Sequence, residues 1–214
     1  MKDIAIFGAG GFGREIACLI KRINQEGPTW NLIGFFDDNP KLKGTKNEYG
    51  DVLGGMSELN SWKSPLSVAI AVGNPSSVRK IAENITNELI DFPNLFAPDT
   101  VFFDKDNIKF GKGNLICVGC CFSCNVEIGD FNTFNCFITV GHDVKMGNYN
   151  SLMPASRLSG EVKMGNENLV GCAAVILQQI TIGNKTKVGA NSTLVCKTKD
   201  GNTYLGNPAK KIKL

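Results

Sequence analysis

The chain has 214 residues, 43% of them apolar and 20% charged, with a formal net charge of +3. This is the balance of a globular protein of one or two domains with enough length for a real core. The charge is too small for a nucleic-acid or membrane-surface binder, and no apolar run reaches the roughly 18–20 residues of a membrane span.

The first residues, MKDIAIFGAGGFGREIA, carry Asp3, Arg14 and Glu15 among glycines. They read as a strand and a turn rather than a secretion signal. With eight cysteines and no such signal, the expectation is free thiols in a reducing, cytoplasmic setting.

Residues 1–92 read as α/β. Ile4–Phe7 is a short strand, GAGGFG at 8–13 is a glycine turn, and the apolar spacing from Glu15 to Ile23 predicts a helix. Leu32–Phe36 is a second strand ending in Asp37-Asp38, and Val68–Val72 a third ending in Gly73-Asn74. A helical pattern over Val78–Ile90 follows. Alternating strands and helices imply a small parallel sheet with helices packed on it, a Rossmann-like domain.

Residues 93–214 have another rhythm. Every sixth residue from Phe110 to Leu194 is apolar, fifteen in succession, and eight of these are followed by Gly. A period of six is the hexapeptide signature of a parallel β-helix, in which the apolar residue points inward and glycine serves either the backbone angles or the close packing of the turn. A second period of 18 repeats Met146-Gly-Asn as Met164-Gly-Asn and Ile182-Gly-Asn, and repeats Asn114 as Asn132, Asn150 and Asn168. Three hexapeptides per coil make a triangular prism with residues 18 apart stacked on successive coils. Five coils then span 110–199, and the asparagine series forms a structural ladder of stacked amides.

The only histidine, His142, lies two residues after the inward Val140, near a turn. Counting by 18, its neighbour one coil above is Gly160, and Asp143 follows it in sequence. A side-chain base beside an accessible backbone N–H suits acyl transfer: the base takes a proton from an amine or hydroxyl, and the N–H stabilises the oxyanion of an attacked thioester. Asp143 can orient the ring or raise its basicity. Cys117, Cys120, Cys121 and Cys124 have a zinc-like spacing but fall on different faces of one prism turn, so no metal is expected.

The turn Gly8-Ala-Gly10-Gly11-Phe12-Gly13 fits the dinucleotide fingerprint, between a strand and a helix, and would receive a pyrophosphate on its backbone N–H groups. Asp37 and Asp38, ending the second strand, stand where a ribose or base contact is expected. The motif does not separate NAD from a nucleotide-sugar, and nothing downstream resembles a hydride-transfer site.

The whole chain resembles bacterial sugar acetyltransferases of the NeuD/PglD type, which include sialic acid O-acetyltransferases and nucleotide-amino-sugar N-acetyltransferases. The resemblance rests on FGAGGFGRE at 7–15, FFDD at 35–38, AIAVGN at 69–74 with Arg79, VGHDVKMG at 140–147 and LGNPAKKI at 205–212. It implies a left-handed β-helix of the hexapeptide acyltransferase superfamily and homotrimers with acetyl-CoA, the co-substrate, in the groove between neighbouring prisms. It implies His142 as general base, Asp143 as its support, Asn135 as a further catalytic residue and Gly160 as the donor to the thioester carbonyl. On the cofactor side it implies Gly160, Cys172, Ala190, Pro208 and Lys210. On the substrate side it implies Gly8, Gly10, Gly11, Phe12, Gly13, Asp37, Asp38, Gly73 and Asn74. Nucleotide-amino-sugar N-acetyltransferases of this type often carry a histidine where this chain has Phe12.

The expected activity is therefore direct transfer of acetyl from acetyl-CoA to the amino group of a nucleotide-linked amino sugar. The alternative is O-acetylation of sialic acid or another sugar hydroxyl. Neither nucleic acid nor membrane insertion enters the expected partners.

Overall fold

A computed structural model describes residues 1–212, which divide into two compact units, Met1–Pro98 and a second that begins at Asp99. The division falls a few residues beyond the 92/93 boundary expected from the sequence. Among the described residues no helix is long and apolar enough to cross a membrane.

The first unit is a six-stranded sheet built on β1 (Lys2–Phe7), with α1 (Gly11–Glu26), β2 (Trp30–Phe36), β3 (Lys46–Asn47), β4 (Gly50–Gly54), α2 (Met56–Asn60), β5 (Leu66–Ile70), α3 (Pro75–Asn84) and β6 (Ile90–Asp91). The strand order is β3-β4-β2-β1-β5-β6, parallel except for the β3–β4 hairpin. Ile4 to Phe7 and Leu66 to Ile70 are buried throughout, the near-continuous apolar run of a parallel strand covered on both faces. Helix α1 places Ile16, Leu19 and Ile20 in the core at helical spacing.

Helix α3 is shorter than the pattern over Val78–Ile90 predicts. It ends at Asn84, and Ile90 belongs to edge strand β6. The break is made by tertiary hydrogen bonds: Asn60 Nδ2 donates to the Asn84 carbonyl, and the Thr86 N–H donates to Asn60 Oδ1. Asn87 Nδ2 donates to the carbonyls of Leu59 and Trp62. The two bonds with Asn60 satisfy the Asn84 carbonyl and the Thr86 N–H, which the next helical turn would otherwise have used, and those of Asn87 fix the chain just beyond.

The second unit is a parallel β-helix with three flat sheets. The inward columns are Ile116–Phe134–Leu152–Val170–Val188, Phe122–Val140–Leu158–Ile176–Leu194 and Phe110–Ile128–Met146–Met164–Ile182, each stepping by 18 in register. All fifteen are buried except Phe110, half-buried at the start of the prism.

The structure separates the two roles offered for glycine. At one corner Gly111, Gly129, Gly147, Gly165 and Gly183 precede the turn, none of them with positive φ. A β-carbon on any of them would press on Asp130, Asn148, Asn166, Asn184 or Asp200 Oδ1 of the next coil. Those oxygens accept the backbone N–H groups of Lys112, Asp130, Asn148, Asn166 and Asn184 at 2.7–2.9 Å. Glycine is there for space. The left-handed position lies two residues on, and after Gly113 and Gly119 it is occupied by non-glycine residues at every turn, with φ of 53–63° from Asn125 to Asn191. From Phe131 onward each of them donates its N–H to a carbonyl of the coil below, as Asp143 does to Cys124 and Glu161 to His142. The strain of the left-handed region is thus held by a bond between coils.

A second ladder runs inside the prism. Asn132, Asn150 and Asn168 each donate N–H and Nδ2 to the Oδ1 of the asparagine below, and Thr186 N–H ends the series on Asn168. The tail closes the last coil. Thr203–Leu205 pairs with Lys187–Val188 and puts Tyr204, 5% exposed, next in the inward column; Lys210–Ile212 then folds back antiparallel.

Candidate active site

His142 stands at the corner that follows the Thr139–Val140 strand. Its Nδ1 is 2.7 Å from Asp143 Oδ2, and both side chains are about half exposed. A carboxylate only accepts, so this contact places the ring proton on Nδ1 and the lone pair on Nε2. Asp143 sits at φ 59°, which turns its side chain out of the corner beside the imidazole. The hydrogen bond from His142, then one from Asn125, holds its carboxyl below the usual carboxylate range.

Gly160 lies one coil above, and a β-carbon there would overlap the imidazole at Nε2. The ring therefore rests on bare backbone. At the Gly-Asx corner the equivalent N–H groups are taken by side-chain oxygens of the next coil. At the His142 corner they are not: among the described residues no acceptor takes the Gly160 N–H. A base lone pair and an unused N–H thus share one rung step, the pairing needed to deprotonate a nucleophile and receive an oxyanion.

A different corner, on the far side of the sheet carrying Thr139–Val140, holds the other expected residues. Asn135, Cys172 and Ala190 flank it, the latter two exposed. Asn135 Oδ1 accepts the Cys136 N–H at 2.8 Å. The tail joins here: Gly206 N–H donates to Ser192 Oγ at 3.0 Å and Ala209 N–H to the Thr193 carbonyl at 2.8 Å, carrying Pro208 and Lys210 to the end of the same corner. One chain does not bring this corner to His142.

In the first unit the carboxyl ends of β1, β2 and β5 converge. The chain steps from β1 out to β2 and β4 on one side and β5 and β6 on the other, so the ends of β1 and β5 flank a topological switch point. Gly8, with φ +112°, passes so close to Ala71 O that a β-carbon would come within 2.6 Å, and a β-carbon on Gly13 would overlap Gly8 O. Gly10, Gly11 and Gly73 face open space. No side chain caps α1. Phe12 is half-buried. Asp37 Oδ2 accepts the Ala9 N–H at 2.9 Å and its Oδ1 accepts that of Asn39 at 2.9 Å. Asp38 Oδ1 accepts the Met56 N–H at 2.8 Å, and Asn74 Oδ1 caps α3 through Ser76 and Ser77. Asp37, Asp38 and Asn74 thus shape the loops around the turn, and the donors left for an anion lie beyond Ala9.

Residues 3–85 match the PglD N-terminal domain family. Over the whole chain the structure is similar to the acetyltransferase domain of PglB from Neisseria gonorrhoeae FA1090 in complex with acetyl coenzyme A. The identity is 30%, with 99% of each chain covered and a TM-score of 0.87. The chain belongs to the NeuD/PglD-type sugar acetyltransferases. WeeI from Acinetobacter baumannii AYE is 26% identical, with 99% of this chain and 100% of that one covered and a TM-score of 0.88. A variant of perosamine N-acetyltransferase from Caulobacter crescentus, in complex with CoA and GDP-perosamine, shares the fold at 24% identity. Its alignment covers 100% of this chain and 98% of that one, with a TM-score of 0.86. Comparison with curated proteins gave no match. As a family member this chain is an acetyltransferase, with a Rossmann-like domain followed by a left-handed parallel β-helix.

One feature escaped the sequence reading. Asn125 Nδ2 reaches Asp143 Oδ1 from the coil below at 3.3 Å, a contact the 18-residue count could have flagged. Cys120 is buried, donates its thiol to the Asn135 carbonyl at 3.1 Å, and is pushed up to about 12 by desolvation, which makes it a packing residue. All eight cysteines are free, and among the described residues no group of ligands could hold a metal.

Proposed function

We propose that the protein transfers acetyl directly from acetyl-CoA to the amino group of a nucleotide-linked amino sugar, with His142 as general base. The observation that carries this reading is the stacking of His142 against Gly160 with Nδ1 held by Asp143. The acceptor amine attacks the thioester carbonyl carbon while Nε2 takes its proton. The Gly160 N–H donates to the oxyanion, and collapse expels the CoA sulfur, which receives the proton from the imidazolium. The PglB domain crystallised with acetyl coenzyme A supports the donor. The open glycine turn at an uncapped helix start supports a pyrophosphate-bearing acceptor.

The site is completed by a second copy. Asn135, Cys172, Ala190, Pro208 and Lys210 gather at a corner other than that of His142, so a groove containing both sets needs the corner of one protomer to face that of its neighbour. A homotrimer of prisms supplies three such grooves.

A panel of UDP-, GDP- and dTDP-linked amino sugars, set against free sialic acid, with release of CoA thiol as readout, tests the reading. Turnover with a nucleotide amino sugar and its loss in His142→Ala is expected. Turnover with sialic acid alone would replace N-acetylation by O-acetylation. Full turnover by His142→Ala would remove the base.

A further inference from the structure

We propose that Asn125 is a positioning residue for this reaction, holding Asp143, and through it the His142 ring, from the coil below. The inference rests on His142 being the base.

Residues 125, 143, 161 and 179 form one column of the corner beside His142. Its two middle members, Asp143 and Glu161, are carboxylates on neighbouring rungs, about 4.8 Å apart in such a stack. Both only accept hydrogen bonds, so they repel and cannot hold each other. Each is held by an amide on its far side instead. Gln178 and Gln179 Nε2 donate to Glu161 from above at 3.1 and 3.2 Å, and Asn125 Nδ2 donates to Asp143 Oδ1 from below at 3.3 Å. The two oxygens of Asp143 are thereby assigned: Oδ1 to Asn125, Oδ2 to His142 Nδ1.

The backbone alone does not account for an asparagine here. Asn125 has φ 54°, but the same place on the next rungs takes Asp, Glu and Gln at 59°, 61° and 63°. Asn125 is exposed, so it does not serve packing either. Its own coil supplies a second restraint. Lys145, two residues from Asp143, could draw that carboxylate away from the imidazole, but Glu127 of the lower coil holds Lys145 Nζ at 3.2 Å. The titratable or charged groups around the His142–Asp143 pair are therefore Lys145 and Glu127 to one side, Glu161 and Lys163 on the coil above and Cys124 below.

The single histidine makes the test direct, because imidazole ¹⁵N NMR reports on His142 alone. Asn125→Gly removes the donor and tolerates the left-handed backbone; Asn125→Asp keeps the shape and adds a charge. In the unaltered protein the neutral ring should carry its proton on Nδ1. In Asn125→Gly the population should move toward the Nε2–H form, and kcat for the best acceptor of the panel should fall about 3- to 10-fold with KM for acetyl-CoA within about twofold. In Asn125→Asp the added charge favours the imidazolium, so the acid limb of the pH–rate profile should move to higher pH. Unchanged ring tautomer, kcat and acid limb in both variants would overturn the inference while His142→Ala remains inactive. An active His142→Ala would overturn the underlying reading, and the inference with it.

Discussion

The imidazole of His142 occupies the place where a β-carbon of Gly160 would stand, one coil above. Gly160→Ala should therefore act on chemistry more than on folding. The methyl group displaces a half-exposed ring, which can swing away at little cost to the prism. A misplaced base should lower kcat by about 10²-fold or more. Steady-state kinetics beside a thermal melt would show the dissociation: a large loss of turnover with a Tm near that of the unaltered protein. A variant with normal kcat would mean that the ring is not used where it lies.

Asp143→Asn tests the tautomer. The introduced amide can offer an N–H to Nδ1, driving the proton to Nε2 and removing the lone pair that faces the acceptor. Asp143→Ala loses the orientation without enforcing the wrong form. The asparagine variant should thus be the slower of the two, by about 10-fold in kcat, a part of the roughly 10²–10⁴-fold that a general base contributes. Equal rates would assign Asp143 a purely electrostatic part.

The inner ladder should be costly to interrupt. Asn150, 1% exposed, receives both donors of Asn168 and gives its own to Asn132 Oδ1 and the Gly165 carbonyl. Asn150→Ala leaves the buried Asn168 N–H without its acceptor, at about 1–3 kcal/mol for each group stranded. Chemical denaturation should show a stability loss of about 2–5 kcal/mol, and a change under 0.5 kcal/mol would mean that water replaces the amide.

The left-handed corners offer the opposite change. Lys185 is exposed, with φ 53°, and its N–H is bonded to the Asn166 carbonyl. Lys185→Gly keeps that bond and relieves the left-handed strain of about 1–2 kcal/mol, offset by about 0.5–1 kcal/mol of unfolded-state entropy. A net gain of up to about 1.5 kcal/mol is expected, whereas Lys185→Val should lose stability. Paired melts of the two variants check the sign.

The prism was legible because its sequence constraint is periodic. A fixed step of 18 places Phe134 on Ile116 and Gly160 on His142 by counting alone. Legibility ended where the step changes. Phe102 pairs with Phe122, a step of 20, and Val188 with Tyr204, a step of 16, so the first coil and the tail cap lay outside the count. In the first unit the apolar runs marked β1, β2 and β5. The end of α3 was hidden because the groups that stop it, on Asn60, and fix the chain beyond it, on Asn87, act through space. The substrate loops were half legible. Asp37 and Asp38 could be placed at a strand end and Ala9 in a glycine turn, but no local pattern announces the helix start at Met56 or which N–H each aspartate takes.

The tail has a consequence beyond stability. A parallel stack of rungs presents at each end a row of unpaired amides able to template another rung. Here Asp200 takes up the Asn184 N–H, Tyr204 fills the last inward place, and Lys210–Ile212 turns back against Thr203–Leu205. The C-terminal strand thereby makes a self-propagating architecture finite. Truncation before residue 199 should convert discrete particles into end-to-end filaments, visible by light scattering and electron microscopy.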